Sequence, residues 1–396
     1  MNRNLAQHQE KSLLDDVSTL EKIERNHFRN RDQDHSAEID RCAASFDYAS
    51  CRDEWWNPPE FSLLYATPLW EQASEGQRVA LNHLYWVAYY SQIISAEIAT
   101  ILLNQTSAAG LSSYEDFRPV CDMLDLETMQ ERSHIAAFKR VGEAVEEELF
   151  GERLFTWPMR SMYVNTMIFA DETAISRFWR SIQLRAFSLL SSGNAFIGCQ
   201  YFAVRGLRTL NGKLVQHGLA QVTTKAPDRE ATPAPSRISY YHFLDESYHY
   251  TSSRILTHDV IRSLPDPTRF ERWVANKALA GCQNDHFHVS VAVKGLFWYE
   301  PALLTRVQRL LRSHVFGMDD GAAREMLWKC FGEENQAVHD SFGIHRQAVQ
   351  AYRKYLDPLA YVNRHNKTMA HMSGNSVPRY LAVNRRALRR LGLSPS

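Results

Sequence analysis

Between Gln77 and Gln105 apolar side chains recur at Leu81, Leu84, Tyr85, Ala88, Ile94 and Ile101, the three- and four-residue steps that turn one helical face toward a core. Past its opening turn the stretch carries one charge, Glu97, and a charge on a buried face needs a partner. A second segment, from about Leu126 to Leu149, is apolar on one side and polar on the other, with Glu131 and His134 one turn apart. A third runs from about Ile175 to Gly218, and its interruption near Ser191–Asn194 predicts two helices or one kinked helix. The proline-rich stretch TTKAPDREATPAPSR reads as a surface loop, and a further helix follows it as far as Pro265. YEPALLTRVQRLLRSHVF and GIHRQAVQAYRKYLDPLAYV continue the helical pattern toward the end of the chain. No convincing run alternates as strands do, so the pattern predicts an all-α fold: a helical bundle with additional N- and C-terminal helices.

The pattern also divides the chain. Residues 1–53 are polar and mixed in charge and read as a frayed helical arm. Residues 54–264 read as the core, entered through the aromatic and proline-rich WWNPPEFSLLYATPLW, where Trp55 and Trp56 are core candidates that could also cap an apolar channel. Residues 265–396 read as helices packed on that core, ending in a basic tail with Arg385, Arg386, Arg389 and Arg390.

Composition narrows the class. Forty-five basic residues balance forty-five acidic ones, so no net charge favours nucleic acid. Six scattered cysteines without a CxxC pair argue against a zinc ribbon or disulfide framework and fit a cytoplasmic setting. No segment reads as a membrane span, so no membrane partner is expected. No Walker A, GxGxxG or GxSxG motif offers nucleotide or acyl-serine chemistry.

The informative chemistry lies in HFLDESYH, where one helix presents His242, Glu246 and His249 from one face. Two imidazoles and a carboxylate buried together are usually satisfied by a divalent metal. Glu131 and His134 add an ExxH pair, a weak signal alone; Glu24 and His27 share its spacing in the polar arm, where a solvated face is expected. With the lone Glu97 the order becomes E, ExxH, HxxxExxH. Ferritin-like di-iron bundles use one Glu from each of two helices and an ExxH from each of the other two. Six metal ligands are therefore expected: Glu97, Glu131, His134, His242, Glu246 and His249. No catalytic residue beyond them is read from the sequence. Asp245 is expected to accept the remaining N–H of a ligating histidine, such as His134, with a solvated or arginine-paired role as the alternative. Asn284, Asp285, His286 and His288 could mimic a metal cluster, but supporting or surface roles are expected of them.

This ordered set resembles the p-aminobenzoate N-oxygenase family of dimetal-carboxylate oxygenases over roughly Leu81 to Leu264. ALNHLYWVAYYSQIISAEIAT, LETMQERSHIAAF and YHFLDESYHYTSS look most like its cylindrocyclophane-type fatty acyl halogenase branch. The resemblance implies a ferritin-like core, two iron ions, or manganese or a mixed pair, and activation of O2 with an external reductant from an electron-donor protein. It also implies chloride, and an acyl carrier protein bearing the fatty acyl chain to be chlorinated in natural-product biosynthesis. An N-oxygenase or hydroxylase of the same family, and a non-catalytic metal-binding bundle, are the alternatives. One departure stands out: the family pattern has another metal-binding Glu on the helix before the last motif, yet residues 173–227 contain no acid. Gln200, Asn211 and Gln216 could replace it as neutral ligands, Glu172 is the nearest acid, and an open position would suit chloride.

Overall fold

The computed structural model describes residues 12–112, 114–156, 173–291 and 302–394; Glu172 lies outside them. Among the described residues there is no strand. The helices of eight residues or more are α1 (Val17–Asp32), α2 (Ser36–Ala44), α3 (Glu75–Leu111), α4 (Arg118–Phe150), α5 (Ala174–Gly193) and α6 (Ala195–Leu219). They continue with α7 (Ala234–His258), α8 (Arg269–Val291), α9 (Ala302–Arg312), α10 (Asp320–Leu327), α11 (Gln336–Leu356) and α12 (Val377–Arg390).

Local chemistry sets the ends of the long helices. Ser74 and Gln77 form a capping box: the Ser74 hydroxyl accepts from Gln77 N and the Gln77 side chain accepts from Ser74 N, so α3 starts at Glu75. Helix α4 stops at Gly151, which takes a left-handed φ of 65° that glycine adopts without strain. The buried Glu146 carboxylate then accepts from Leu154 N and Thr156 N at 3.0 and 2.9 Å, folding the following turn back onto the helix. The expected interruption falls at Asn194, whose side chain accepts from Ile197 N at 3.0 Å and caps α6, so α5 and α6 are two helices.

Helices α3, α4, α7 and α6 pack in a closed ring, each against the next. Two apolar clusters fill it. One contains Leu81 to Ile94 of α3, Ala137 to Val145 of α4 and Ile238 of α7, with side chains from α9, α10 and α12. The other contains Ala108 and Leu111 of α3, Val120 to Leu124 of α4, Phe196 to Leu207 of α6 and Ile255 to Val260, with α8 and α11. Between them α3, α4 and α7 turn acids and imidazoles inward, at residues 97, 127–134 and 242–249. Trp56 is fully buried and stacks on His83 at 3.9 Å.

One sequence expectation needs correction. α1 and α2 are not a frayed arm: Ile23, Asn26, Asn30 and Ile39 are buried where these helices pack on α4 and α7. Their inward face is half polar, so apolar periodicity did not mark it. The basic C-terminal segment is helix α12, in which Arg386, Arg389 and Arg390 are exposed while Arg385 donates to the Gly332 carbonyl at 2.7 Å. Helix α3 is long and apolar enough to cross a membrane by length and composition, but other helices surround it in the bundle.

Helix α3 meets α5 closely at Gly110, where an added Cβ would lie 2.7 Å from the Ser191 carbonyl oxygen. That neighbour is backbone and can give way only if the helices separate. Gly110→Ala should therefore cost about 1–3 kcal/mol of stability. Gly76→Ala, with nothing within 4 Å of its Cβ, should leave the denaturation midpoint unchanged or raise it slightly. Equal denaturant midpoints for the two variants would contradict this packing.

Candidate metal centre

The burial of Glu97, Glu131, His134, His242, Glu246 and His249 follows from the bundle ring, since each projects from α3, α4 or α7 into the layer between the two apolar clusters. The structure brings all six together. His242 Nε2 lies 3.2 Å and His134 Nδ1 3.7 Å from Glu97 Oε1. Glu131 spans the cluster: its Oε2 is 3.5 Å from His134 Nδ1 and its Oε1 is 3.3 Å from His249 Nδ1. Glu246 Oε1 is 2.9 Å from His249 Nδ1 and 3.8 Å from His242 Nε2. Two groups of donors result, Glu97–His134–His242–Glu246 and Glu131–Glu246–His249, each with one atom per residue within 4.8 Å of the others. Glu246 belongs to both.

Hydrogen bonding leaves this cluster unfinished. Both carboxylate oxygens of Glu97, Glu131 Oε2, His134 Nδ1 and both ring nitrogens of His242 are buried without a hydrogen-bond partner. Orphaned acceptors at such density are costly unless a cation satisfies them.

The electrostatics agree. Burial opposes a charged His249, yet Glu246, Glu131 and Glu127 override it and raise its pKa to about 10. Burial likewise opposes a charged His134, but Asp245, Glu131 and Glu97 hold its pKa well above the usual value. Burial raises the pKa of Glu97, whereas Glu131 is held low despite burial by His249 and His134. The two imidazoles are thus drawn toward their charged forms by the surrounding carboxylates, and three carboxylates with three imidazoles form a donor set suited to divalent transition metals.

Asp245 sits one residue from Glu246 but faces the other way, and is fully buried. His134 Nε2 donates to its Oδ2 at 3.2 Å, the contact the sequence reading anticipates, and His35 donates from Nδ1 to its Oδ1 at 2.8 Å. Burial works against the charged carboxylate, but these imidazoles lower its pKa to about 2. Sequence reasoning missed His35, and also Gln130, whose Oε1 accepts from His249 Nε2 at 3.0 Å.

Helix α6 brings no acid to the site. Instead Arg205, 5 % exposed, pairs with the fully buried Glu127 at 2.6 Å and donates to the His249 carbonyl at 3.3 Å. Gln200 is buried with neither amide atom hydrogen-bonded, and Gln216 is buried with Oε1 unpartnered. Neither forms a hydrogen bond to the six residues, and the Asn211 and His288 side chains lie outside the described residues. His286, on α8, pairs with His345 of α11, ring nitrogens 3.1 Å apart, and burial with His345 pushes its pKa down to about 3. Glu24 is exposed.

Fold and site together define an all-α bundle whose buried histidines and glutamates are compatible with a metal site. The chain belongs to the CylC-like acyl halogenases: the family model described as acyl halogenase CylC-like matches residues 18–392. The match runs well beyond the 81–264 stretch that carries the motif resemblance and takes in α1 and α2. No curated protein and no solved structure matches the chain.

Removing one member of the Arg205–Glu127 pair leaves a buried charge uncompensated. Glu127→Ala should destabilise the protein by about 3–5 kcal/mol, and Glu127→Leu with Arg205→Met should recover much of that loss. Urea denaturation of the three proteins checks this; a double variant no better than the single would contradict it.

Proposed function

We propose that the protein is an O2-dependent dimetal oxidase that chlorinates an unactivated C–H bond of a fatty acyl chain carried on an acyl carrier protein. The observation that carries this reading is the set of orphaned donors from Glu97, Glu131, His134, His242, Glu246 and His249, in a member of an acyl halogenase family. These six residues would hold two iron ions, or manganese or a mixed pair. Such ions, when bound, supply reduction of O2 and removal of hydrogen from carbon.

The rest is the work of the chain. The apolar clusters on both sides of the donors keep bulk water from them. Three carboxylates against two divalent cations would leave one positive charge, and Arg205 is already balanced by Glu127, so a single halide fits the site electrostatically. Because 173–227 lacks an acid, the α6 side leaves a coordination position for chloride. The overall reaction balances as C–H, chloride, O2, two electrons and three protons giving C–Cl and two waters. The electrons come from an external reductant through a donor protein. The exposed Arg386, Arg389 and Arg390 of α12 offer an acidic carrier protein a docking surface.

Chloride-dependent mass of the acyl product, from carrier-bound chains with O2 and a reductant, tests the reading; hydroxylated or N-oxygenated products alone would replace it with the alternative chemistry of the wider family. Metal analysis of the full chain should find two ions per protein, and Glu246→Ala should remove more metal than Glu97→Ala because Glu246 belongs to both donor groups. Full occupancy in both variants would remove them from the ligand set.

A further inference from the structure

The outer ring nitrogens of two of the cluster's imidazoles are held by separate hydrogen-bond chains, and both chains end in one short stretch, the junction of α1 and α2. The first runs from His134 Nε2 to Asp245 and on to His35, at 3.2 and 2.8 Å. The second runs from His249 Nε2 to Gln130 Oε1 at 3.0 Å. Gln130 is locked in turn: its Oε1 also accepts from Asn30 Nδ2 at 2.9 Å, and its Nε2 donates to Asn30 Oδ1 at 2.9 Å and Asp34 Oδ1 at 3.2 Å. Asn30, Gln130 and Asp245 are fully buried. The junction is anchored to α7, where Asn26 Nδ2 donates to Ser252 Oγ at 2.8 Å and Tyr248 Oη donates to Gln33.

These chains have a directional consequence. A carboxylate can only accept, so His134 must carry its proton on Nε2. Gln130 spends its N–H groups on Asn30 and Asp34, so it presents oxygen to His249, which must also carry its proton on Nε2. In both residues Nδ1 is the nitrogen that faces the carboxylates, Glu97 and Glu131 for His134, Glu131 and Glu246 for His249, and His249 Nδ1 hydrogen-bonds Glu246 Oε1 at 2.9 Å; a cation that takes the place of the proton there meets an Nδ1 lone pair, because Nε2 keeps its own proton.

We infer that Asn30, Asp34 and His35 are part of the metal centre, as positioning residues that fix the tautomer and orientation of His134 and His249 so that both offer Nδ1 to a cation. This rests on the metal centre proposed above. His35, with 19 % of its side chain exposed and its ring stacked on Tyr241, is the point where the His134 chain meets solvent. The groups facing it are Asp34 and Glu38 from its own segment and Asp245 and Tyr241 from α7.

The test uses the full chain, labelled with 15N-histidine and loaded with Zn2+ as a diamagnetic probe, so no turnover is involved. The wild type should show the Nε2–H signals of His134 and of His249 protected from exchange with water. His35→Phe, which keeps the stacking ring and removes the donor, should expose one of them to exchange and leave the other. Asn30→Ala should do the reverse, and His35→Gln, which restores an N–H, should recover much of the protection. Chelator competition should show Zn2+ affinity falling by about 10- to 100-fold in His35→Phe and in Asn30→Ala. Affinity within two-fold of the wild type with both signals unchanged, or loss of both signals in each variant, would overturn the inference and leave the metal centre standing. Failure of the wild-type chain to bind Zn2+, Fe2+ or Mn2+ would overturn both.

Discussion

The structure turns on one electrostatic demand: three carboxylates and three imidazoles share a buried layer at the middle of the bundle, and their facing atoms need positive charge between them. Buried acids at such separations repel one another, and a protein answers that either by protonating them or by placing cations among them. Both answers show in the titration behaviour, since Glu97 is pushed toward its neutral form while His134 and His249 are pushed toward their charged forms. The fold makes this layer tolerable by enclosing it between two apolar clusters. The same clusters give α3, α4, α6 and α7 their packing, so the layer sits where the helices have least freedom to splay.

Beyond the cluster the buried acid nearest to it is compensated. Glu127 lies one turn before Glu131 on α4 and would add a fourth acid, but Arg205 reaches across from α6 and takes it. The helix that the family pattern expects to donate a carboxylate thus donates a guanidinium, and through the His249 carbonyl it also ties α6 to the helix bearing three of the donors. Buried ion pairs are poor sources of stability but strict about register. Here the register keeps an acid-free face of α6 beside an acid-rich layer.

The sequence made the inner ring of the site legible because each donor breaks a local pattern: Glu97 is a charge within an apolar helix, and His242, Glu246 and His249 share one face of α7. Asp245 was legible because helical geometry turns it away from that face. The interruption at Ser191–Asn194 marked the break between α5 and α6, and the Asn194 cap made it two helices. What could not be read are contacts between residues far apart in the chain: His35 meets Asp245 across 210 positions, Gln130 meets Asn30 across 100, and Arg205 meets Glu127 across 78. On α1, Thr19, Ile23, Asn26 and Asn30 do recur at helical spacing, but three of the four are polar, so the stripe resembles a solvated face. Polar residues buried to serve other polar residues leave no hydrophobic signature.

The three imidazoles are consequently not equivalent, and the difference bears on how the site can work. His134 and His249 are held from behind by hydrogen bonds, whereas neither ring nitrogen of His242 has a partner and its ring is fixed by packing, edge-on to Phe138 at 5.0 Å and Tyr90 at 5.5 Å. One side of the cluster is therefore polar and wired to the α1–α2 junction, and the other is aromatic and continuous with the cluster of apolar side chains from α3 and α4. A ring held only by packing can tilt at less cost than one held by a buried carboxylate, so His242 is the imidazole freest to adjust. On the function proposed here, the same aromatic side is where an acyl chain would find apolar surroundings. The histidine that distinguishes this motif from a plain ExxH would then stand on the apolar side, opposite the hydrogen-bond chains that hold His134 and His249.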